Sequence, residues 1–158
     1  MTEFRTRRWV AKGACAMLVA VALAGCAQKP TNTGAGAATP GSQQDFAINV
    51  GDRVFFTVDS SEINSTAAST LDRQAAWLQK YPRYQVTVEG HADERGTREY
   101  NIALSARRAE AARRYLAGRG VAPNRMRTQA FGKERPVAVC DNESCWNQNR
   151  RAVTVLGN

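Results

Sequence analysis

The stretch that decides the fold is residues 88–109, VEGHADERGTREYNIALSARRA, in which a strand runs into a charged loop and the loop into a helix. Before it, residues 84–90 alternate apolar and polar side chains, which is typical of a half-buried strand. After it, residues 99–119 keep apolar side chains at helical spacing, and Gly118 and Gly120 provide a stop. The predicted apolar face of this helix consists of Ile102, Ala109, Ala112 and Leu116.

A further strand and helix are predicted upstream. Residues 53–58 (RVFFTV) are β-branched and aromatic, and the polar run 59–61 follows them, which indicates a buried strand and then a loop. Residues 64–66 (NST) offer helix caps, and Ala and Leu then recur at helical spacing until Pro82 ends the element.

The predicted order of elements is strand, helix, strand, helix, strand, a loop held by two cysteines, and strand. The last two strands are residues 126–131 and 152–156. Alternating elements with one-sided amphipathic helices favour an α+β layered domain, with a mixed β-sheet and helices packed on one face in β-α-β-α-β-β order. Residues 45–158 are enough for one such domain.

The front of the chain predicts export. Four basic residues within residues 5–12 precede the uncharged stretch 13–28, as in a signal peptide, and this stretch is short for a membrane span of ~20 apolar residues. We therefore expect residues 1–25 to be removed, with an uncleaved membrane anchor as the alternative. Residues 26–44, rich in Gly, Ala, Thr and Pro, are predicted to form a flexible linker.

Composition limits the classes of partner. Removal of residues 1–25 takes away four basic residues and Glu3, so the net charge falls from +8 to +5. Such a charge suits an acidic wall polymer or an anionic membrane face, and export argues against nucleic acid. We expect no cofactor and no metal, since the single histidine, His91, leaves a multi-histidine centre or a histidine-based triad without its residues.

Two cysteines remain for the exported domain. Cys140 and Cys145 are predicted to pair in a structural disulfide, because thiols in an oxidising compartment usually do. The alternatives are a redox-active dithiol, which usually has two intervening residues, and half of a metal site.

Two segments resemble known families. Leu23-Ala24-Gly25-Cys26 resembles the lipobox of bacterial lipoproteins, which implies that Cys26 carries acyl chains such as palmitate and becomes the mature N-terminus. The absence of Asp after this cysteine favours the outer membrane in that family. Residues 88–109 resemble the peptidoglycan-binding segment of OmpA-like domains, and most of all those of the peptidoglycan-associated lipoproteins.

The second resemblance implies a binding site for the diaminopimelate residue of the wall peptide. It assigns Asp93 of the HAD tripeptide and Arg108 of the RRA segment to the ligand, with Asp59 as a third position. Val58, before it, is a lesser candidate for ligand contact and departs from the Phe that is common there in the family. The chemistry fits, because Arg can hold a carboxylate with two parallel donors while the two Asp accept from the ammonium.

Other residues are lesser candidates. Gly96 leaves room for a backbone to approach the ligand, Tyr100 and Trp146 could line the site, and Arg150 or Arg151 of the NRR segment could face it. His91 is interpreted as a residue that orders the loop through hydrogen bonds. A purely structural pairing of Asp93 with Arg108 is the alternative to a ligand site.

The sequence therefore predicts a protein without enzymatic activity that tethers the outer membrane to peptidoglycan. Resemblance to the family further implies TolB and the other Tol proteins as partners, competition between TolB and the wall for the Asp93 face, and a role in cell division. The alternative from another class is a lipid-anchored wall hydrolase that uses Asp93 or Glu94 as general acid or base.

Overall fold

The computed structural model describes residues 38–157, which contain four helices and four strands. In chain order these are α1 (Gln43–Asp45), β1 (Arg53–Phe55), α2 (Ser65–Lys80), β2 (Gln85–Gly90), α3 (Arg98–Gly118), β3 (Met126–Ala130), α4 (Glu143–Asn149) and β4 (Arg151–Gly157). A π-helical turn, Phe46–Gly51, continues α1, and a 3₁₀ turn, Pro123–Arg125, precedes β3. No helix among these residues is both long and apolar enough for a membrane span. The predicted signal peptide and Cys26 lie outside the described residues.

The four strands form one mixed sheet in the order β1-β4-β2-β3. β4 is antiparallel to both of its neighbours, with Ala152 opposite Val54 on one side and Gly90 on the other. β2 and β3 are parallel, with Val86 opposite Met126. The α+β fold predicted from the sequence is confirmed.

The core lies between one face of the sheet and the helices α2 and α3. Val86 and Val88 of β2 point to this face at the two-residue period of a strand, and Leu71 and Leu116 of the helices meet them. Phe55, on the opposite face, is 46% exposed. The helices therefore cover one face of the sheet, as expected.

Gly90 brings α3 against the end of β2. A Cβ on Gly90 would lie 1.9 Å from the backbone oxygen of Ser105, so only glycine fits. This contact places the loop after β2 directly beside the first turns of α3, where the predicted site residues lie.

Two elements differ from the prediction. β1 ends at Phe55, not at residue 58, because the guanidinium groups of Arg150 and Arg108 take the carbonyls of Phe56 and Thr57. The cysteine loop contains a helix, α4, which begins after Asn142, whose side chain accepts from the Ser144 amide at 3.0 Å.

The end of the expected linker also contacts the domain. The carbonyl of Gly41 accepts from the Tyr84 hydroxyl at 2.8 Å and from Arg83 at 2.7 Å. The Trp77 indole donates to Asp45 at 2.8 Å and packs on the buried ring of Phe46. Residues 38–44, assigned to the linker from their composition, thus lie against the domain.

Candidate ligand-binding site

A pocket of about 290 Å³ opens where β2 ends, between the following loop and α3. Its walls contain six of the sequence-predicted residues and three residues that were not predicted. The lining consists of Val58, Asp59, Asp93, Arg95, Gly96, Tyr100, Asn101, Leu104 and Arg108.

Asp93 is the buried anion of the pocket and is only 7% exposed. Arg95 donates to its carboxylate at 2.6 Å and Arg150 at 3.3 Å. Burial opposes ionisation of Asp93, but the hydrogen bonds from Arg95 and Arg150 outweigh it and hold the pKa of the carboxyl below its ordinary value. Asp93 is therefore an anion at neutral pH.

Arg108 is the buried cation, with no exposed surface. Its guanidinium donates to the carbonyls of Ser60 at 2.8 Å, His91 at 2.9 Å and Thr57 at 3.1 Å. An arginine has five N–H donors, so these three bonds leave two of them unused. Burial lowers the pKa of Arg108 to about 10, which leaves it protonated at neutral pH.

Asp93 and Arg108 do not pair with each other among the described residues. Asp93 forms its ion pairs with Arg95 and Arg150, and Arg108 is held by backbone carbonyls. A direct structural pair of Asp93 and Arg108 is therefore not seen, and Arg108 ties the loop to α3 through the carbonyl of His91 instead. A buried cation and a buried anion instead share one pocket.

Asp59 and Tyr100 form the outer wall. The Tyr100 hydroxyl donates to the Asp59 carboxylate, which joins the loop after β1 to α3. Asp59 has a φ of 52°, a left-handed conformation that Asp tolerates better than most residues. Val58 beside it is 54% exposed and lines the pocket, where it leaves more open space than an aromatic ring would.

The loop that carries Asp93 is fixed at both ends. Thr97 caps α3 by accepting from the Tyr100 amide at 3.2 Å, and Asn101 donates to the carbonyl of Arg95 at 2.8 Å. Gly96 has a φ of 88°, which favours glycine, and its carbonyl accepts from Lys133 at 2.8 Å. The protein's own hydrogen bonds thus fix this rim of the pocket.

The two arginines of the NRR segment face different ways. Arg150 donates to Asp93 and to Glu143, and its side chain is 5% exposed. Arg151 turns away and donates to the carbonyls of Asn149 and Arg135. Of the pair, Arg150 is the one that contributes to the pocket, through Asp93.

His91 orders the loop through its backbone and not through its ring. Its amide donates to the carbonyl of Arg151 at 2.9 Å, and its carbonyl accepts from Arg108. Neither ring nitrogen has a hydrogen-bond partner among the described residues, and the ring stacks on Phe131. The interpretation of His91 as a loop-ordering residue agrees with these backbone hydrogen bonds, in which its ring takes no part. Burial, together with nearby arginines such as Arg151, lowers the pKa of His91 to about 4.

Sequence reasoning missed Arg95, Asn101 and Leu104 as lining residues. Arg95 stands two positions after Asp93, close enough for its side chain to fold back onto the carboxylate, and this spacing was the available signal. Trp146 was a lesser candidate and lies behind the pocket, with the Arg95 guanidinium 4.1 Å from its ring centre. The structure also joins Cys140 to Cys145 in a disulfide.

The site is suited to binding a zwitterion. It offers a cation with free N–H donors and two carboxylates, Asp93 and Asp59, within one pocket. Among residues 38–157, no three His, Cys, Asp or Glu side chains lie close enough to hold a metal ion.

Comparison with known proteins identifies the family. The sequence model of the OmpA family matches residues 55–151, more than half of the chain. The chain therefore belongs to the OmpA family, and within it to the peptidoglycan-associated lipoproteins. It is 65% identical over 150 residues to the peptidoglycan-associated lipoprotein of Rhizobium meliloti (strain 1021), with 90% of this chain and 85% of the relative covered. With that of Pseudomonas aeruginosa it is 46% identical over 124 residues, which cover 76% of this chain and 73% of the relative.

Solved structures agree on the fold. The crystal structure of the peptidoglycan-associated lipoprotein from Burkholderia pseudomallei superposes with a TM-score of 0.65 at 40% identity and covers 67% of this chain and 90% of its own. The C-terminal domain of Helicobacter pylori MotB superposes with a TM-score of 0.64 at 27% identity, covering 68% of this chain and 84% of its own.

Proposed function

We propose that this chain is an outer-membrane lipoprotein that binds peptidoglycan non-covalently through meso-diaminopimelate and tethers the membrane to the wall. The names of its relatives support association with peptidoglycan. The observation that carries the proposal is the pocket itself, in which Arg108 keeps two N–H donors beside an ionised Asp93.

The ligand chemistry follows from these charges. The side chain of meso-diaminopimelate ends in a carbon that bears both an ammonium and a carboxylate. Arg108 would bind the carboxylate with its remaining donors, and Asp93 and Asp59 would accept from the ammonium. A stem peptide with Lys lacks the carboxylate, so binding it would leave the buried donors of Arg108 unpaired.

The tether requires a second attachment at the other end of the chain. The lipobox ending at Cys26 supplies it in the proposal, since several acyl chains on one cysteine anchor a protein firmly where a single chain does not. Residues 27–37 then connect the lipid to the segment that packs on the domain.

Partnership with TolB and the other Tol proteins, and with it a role in cell division, is proposed from membership of the peptidoglycan-associated lipoproteins. In this proposal TolB and peptidoglycan compete for the Asp93 face. A binding assay that contains both should show each displacing the other, and simultaneous saturation of both would contradict the competition.

Sedimentation with purified sacculi tests wall binding. The full chain in detergent should sediment, and Asp93→Asn should need at least tenfold more sacculi for half-binding, because a charge-assisted contact of about 1.5–3 kcal/mol is lost. Asp72→Asn is the matched control, since its carboxylate also pairs with an arginine, Arg119 at 2.8 Å, but lies outside the pocket. Equal sedimentation of the two variants would reject the site.

The same incubation separates the tether from a hydrolase. Sacculi are first incubated with the wild-type chain, then digested and analysed for muropeptides that untreated sacculi do not give. We expect binding without new products. New products that disappear in Asp93→Asn would favour the enzyme.

A further inference from the structure

Residues 140–150, which begin with the loop closed by the disulfide Cys140–Cys145, contain Arg150 and contact Arg95, the two arginines that hold Asp93. At one end of α4, Glu143 accepts from the Arg150 guanidinium. Further along, the Arg95 guanidinium packs over the indole ring of Trp146, 4.1 Å from the ring centre. The indole N–H of Trp146 donates to Glu94. The segment therefore lies behind the pocket and does not line it.

The two arginines differ in how tightly the remaining structure holds them. The Arg150 side chain is 5% exposed and also donates to the carbonyl of Phe56. The Arg95 side chain is 40% exposed, and beyond Asp93 its guanidinium contacts the ring of Trp146. Arg95 thus depends on α4 for a fixed position. The negative charge of Glu143 also favours the protonated form of Arg95.

Two devices fix the segment itself. The disulfide joins Cys140 to Cys145, the residue before Trp146, with Cα atoms 5.7 Å apart. Asn149 holds the preceding chain by accepting from the Val137 amide at 2.8 Å and donating to the Ala138 carbonyl at 2.7 Å. α4 has only seven residues, too few for a stable helix on its own, so its order depends on these ties.

We infer that the segment 140–150 is a positioning element for the pocket, and that opening its disulfide lowers the affinity of the pocket for diaminopimelate. The inference rests on the proposed function for the identity of the ligand. The physical reason is preorganisation, because a pocket whose arginines are already fixed does not have to order them when the ligand binds. Without α4, Arg95 loses the ring of Trp146 and Arg150 loses Glu143, although Arg150 keeps the carbonyl of Phe56.

Reduction opens the disulfide by ordinary thiol exchange. A dithiol reductant gives up two electrons and two protons and becomes a cyclic disulfide, while Cys140 and Cys145 become thiols. The affinity of the site for its ligand would in this way depend on the redox state of the compartment.

The test is calorimetric titration of the full chain in detergent with the tripeptide L-Ala-D-Glu-meso-diaminopimelate. We expect about three- to tenfold weaker binding after reduction with dithiothreitol and in Cys140→Ser/Cys145→Ser, the effect of leaving the long side chain of Arg95 to be ordered on binding. Dithiothreitol should not change the affinity of the double variant. Equal affinity of the oxidised and the fully reduced wild-type chain would overturn the inference.

Trp146→Leu keeps the disulfide and removes the ring under Arg95. It should weaken binding several-fold while thermal unfolding stays within a few degrees of wild type. Unchanged affinity would overturn the role given to Trp146, even if the reduced chain proves unfolded.

A ligand-free measurement separates this inference from the proposed function. NMR titration of the Asp93 carboxyl should show its pKa rising when the disulfide is opened, because the arginine hydrogen bonds that depress it become weaker. If the tripeptide does not bind the oxidised chain but the pKa of Asp93 still rises on reduction, diaminopimelate is not the ligand and the positioning role stands. An unchanged pKa would reject positioning.

Discussion

Arg108 is expected to be a structural centre as well as a ligand group, and Arg108→Met tests this. Its guanidinium joins the loop after β1 to the end of β2 through the carbonyls of Thr57, Ser60 and His91. Hydrogen bonds from a charged donor contribute about 1.5–3 kcal/mol each, so the three are worth roughly 5–9 kcal/mol. Burial of the charge opposes this by about 3 kcal/mol, the equivalent of lowering the pKa from 12.5 to about 10.

The balance predicts that Arg108→Met lowers the free energy of unfolding by roughly 2–6 kcal/mol. For a domain of this size the melting temperature should fall by about 8–24 °C. Arg107→Met is the matched control, since Arg107 is the exposed neighbour on the same helix and should change stability by less than about 0.5 kcal/mol. Urea unfolding that gives the same value for both variants would refute the structural role of Arg108.

Three further predictions follow from single contacts. Gly90→Ala should lower the free energy of unfolding by about 1–3 kcal/mol or more, because the added Cβ would meet a backbone oxygen of α3. Gly118→Ala is the control: a Cβ there meets no atom within 4 Å, so this variant should be neutral or stabilising. Equal melting temperatures of the two variants would contradict the prediction. Stability should fall by about 2.5 kcal/mol between pH 7 and pH 4.5, because the pKa of His91 is about 4 when folded and near 6.5 when unfolded, so the unfolded state binds the proton first. In His91→Leu the free energy of unfolding, measured with urea, should depend less on pH between 7 and 4.5. The same pH dependence as in the wild type would show that His91 does not titrate in this way. Tyr100→Phe should leave folding unchanged and weaken sedimentation with sacculi, because Asp59 loses the hydroxyl group that holds its carboxylate. Unchanged sedimentation would contradict a role of the Tyr100–Asp59 pair in binding.

Most of the fold could be predicted because its elements carry strong periodic patterns. The buried faces of α2 and β2 each show their own repeat in the sequence, and these repeats also determine which face meets the sheet. The end of β1 was not predictable, because the groups that capture its carbonyls are Arg108 and Arg150, which lie far away in the chain. α4 was missed for a related reason, since a helix of seven residues depends on its disulfide and its tertiary contacts.

The site was predictable in its charges but not in its partners. Asp93 and Arg108 lie in one contiguous motif, and the structure brings both to one pocket; their role in binding stays a prediction. The fold of Arg95 back onto Asp93 and the support from Trp146 depend on side-chain geometry that spacing does not give. Arg150 ends α4 and Arg151 begins β4, so the direction of each side chain depends on the exact boundary between helix and strand, which the sequence pattern does not give.

Calorimetric titration with two tripeptides tests the central claim most directly. One tripeptide ends in meso-diaminopimelate and the other in Lys, so they differ only in the carboxylate that Arg108 is proposed to bind. We predict that the diaminopimelate peptide binds at least a hundredfold more tightly, because the Lys peptide leaves buried donors unpaired. Equal affinity for the two peptides would contradict the account.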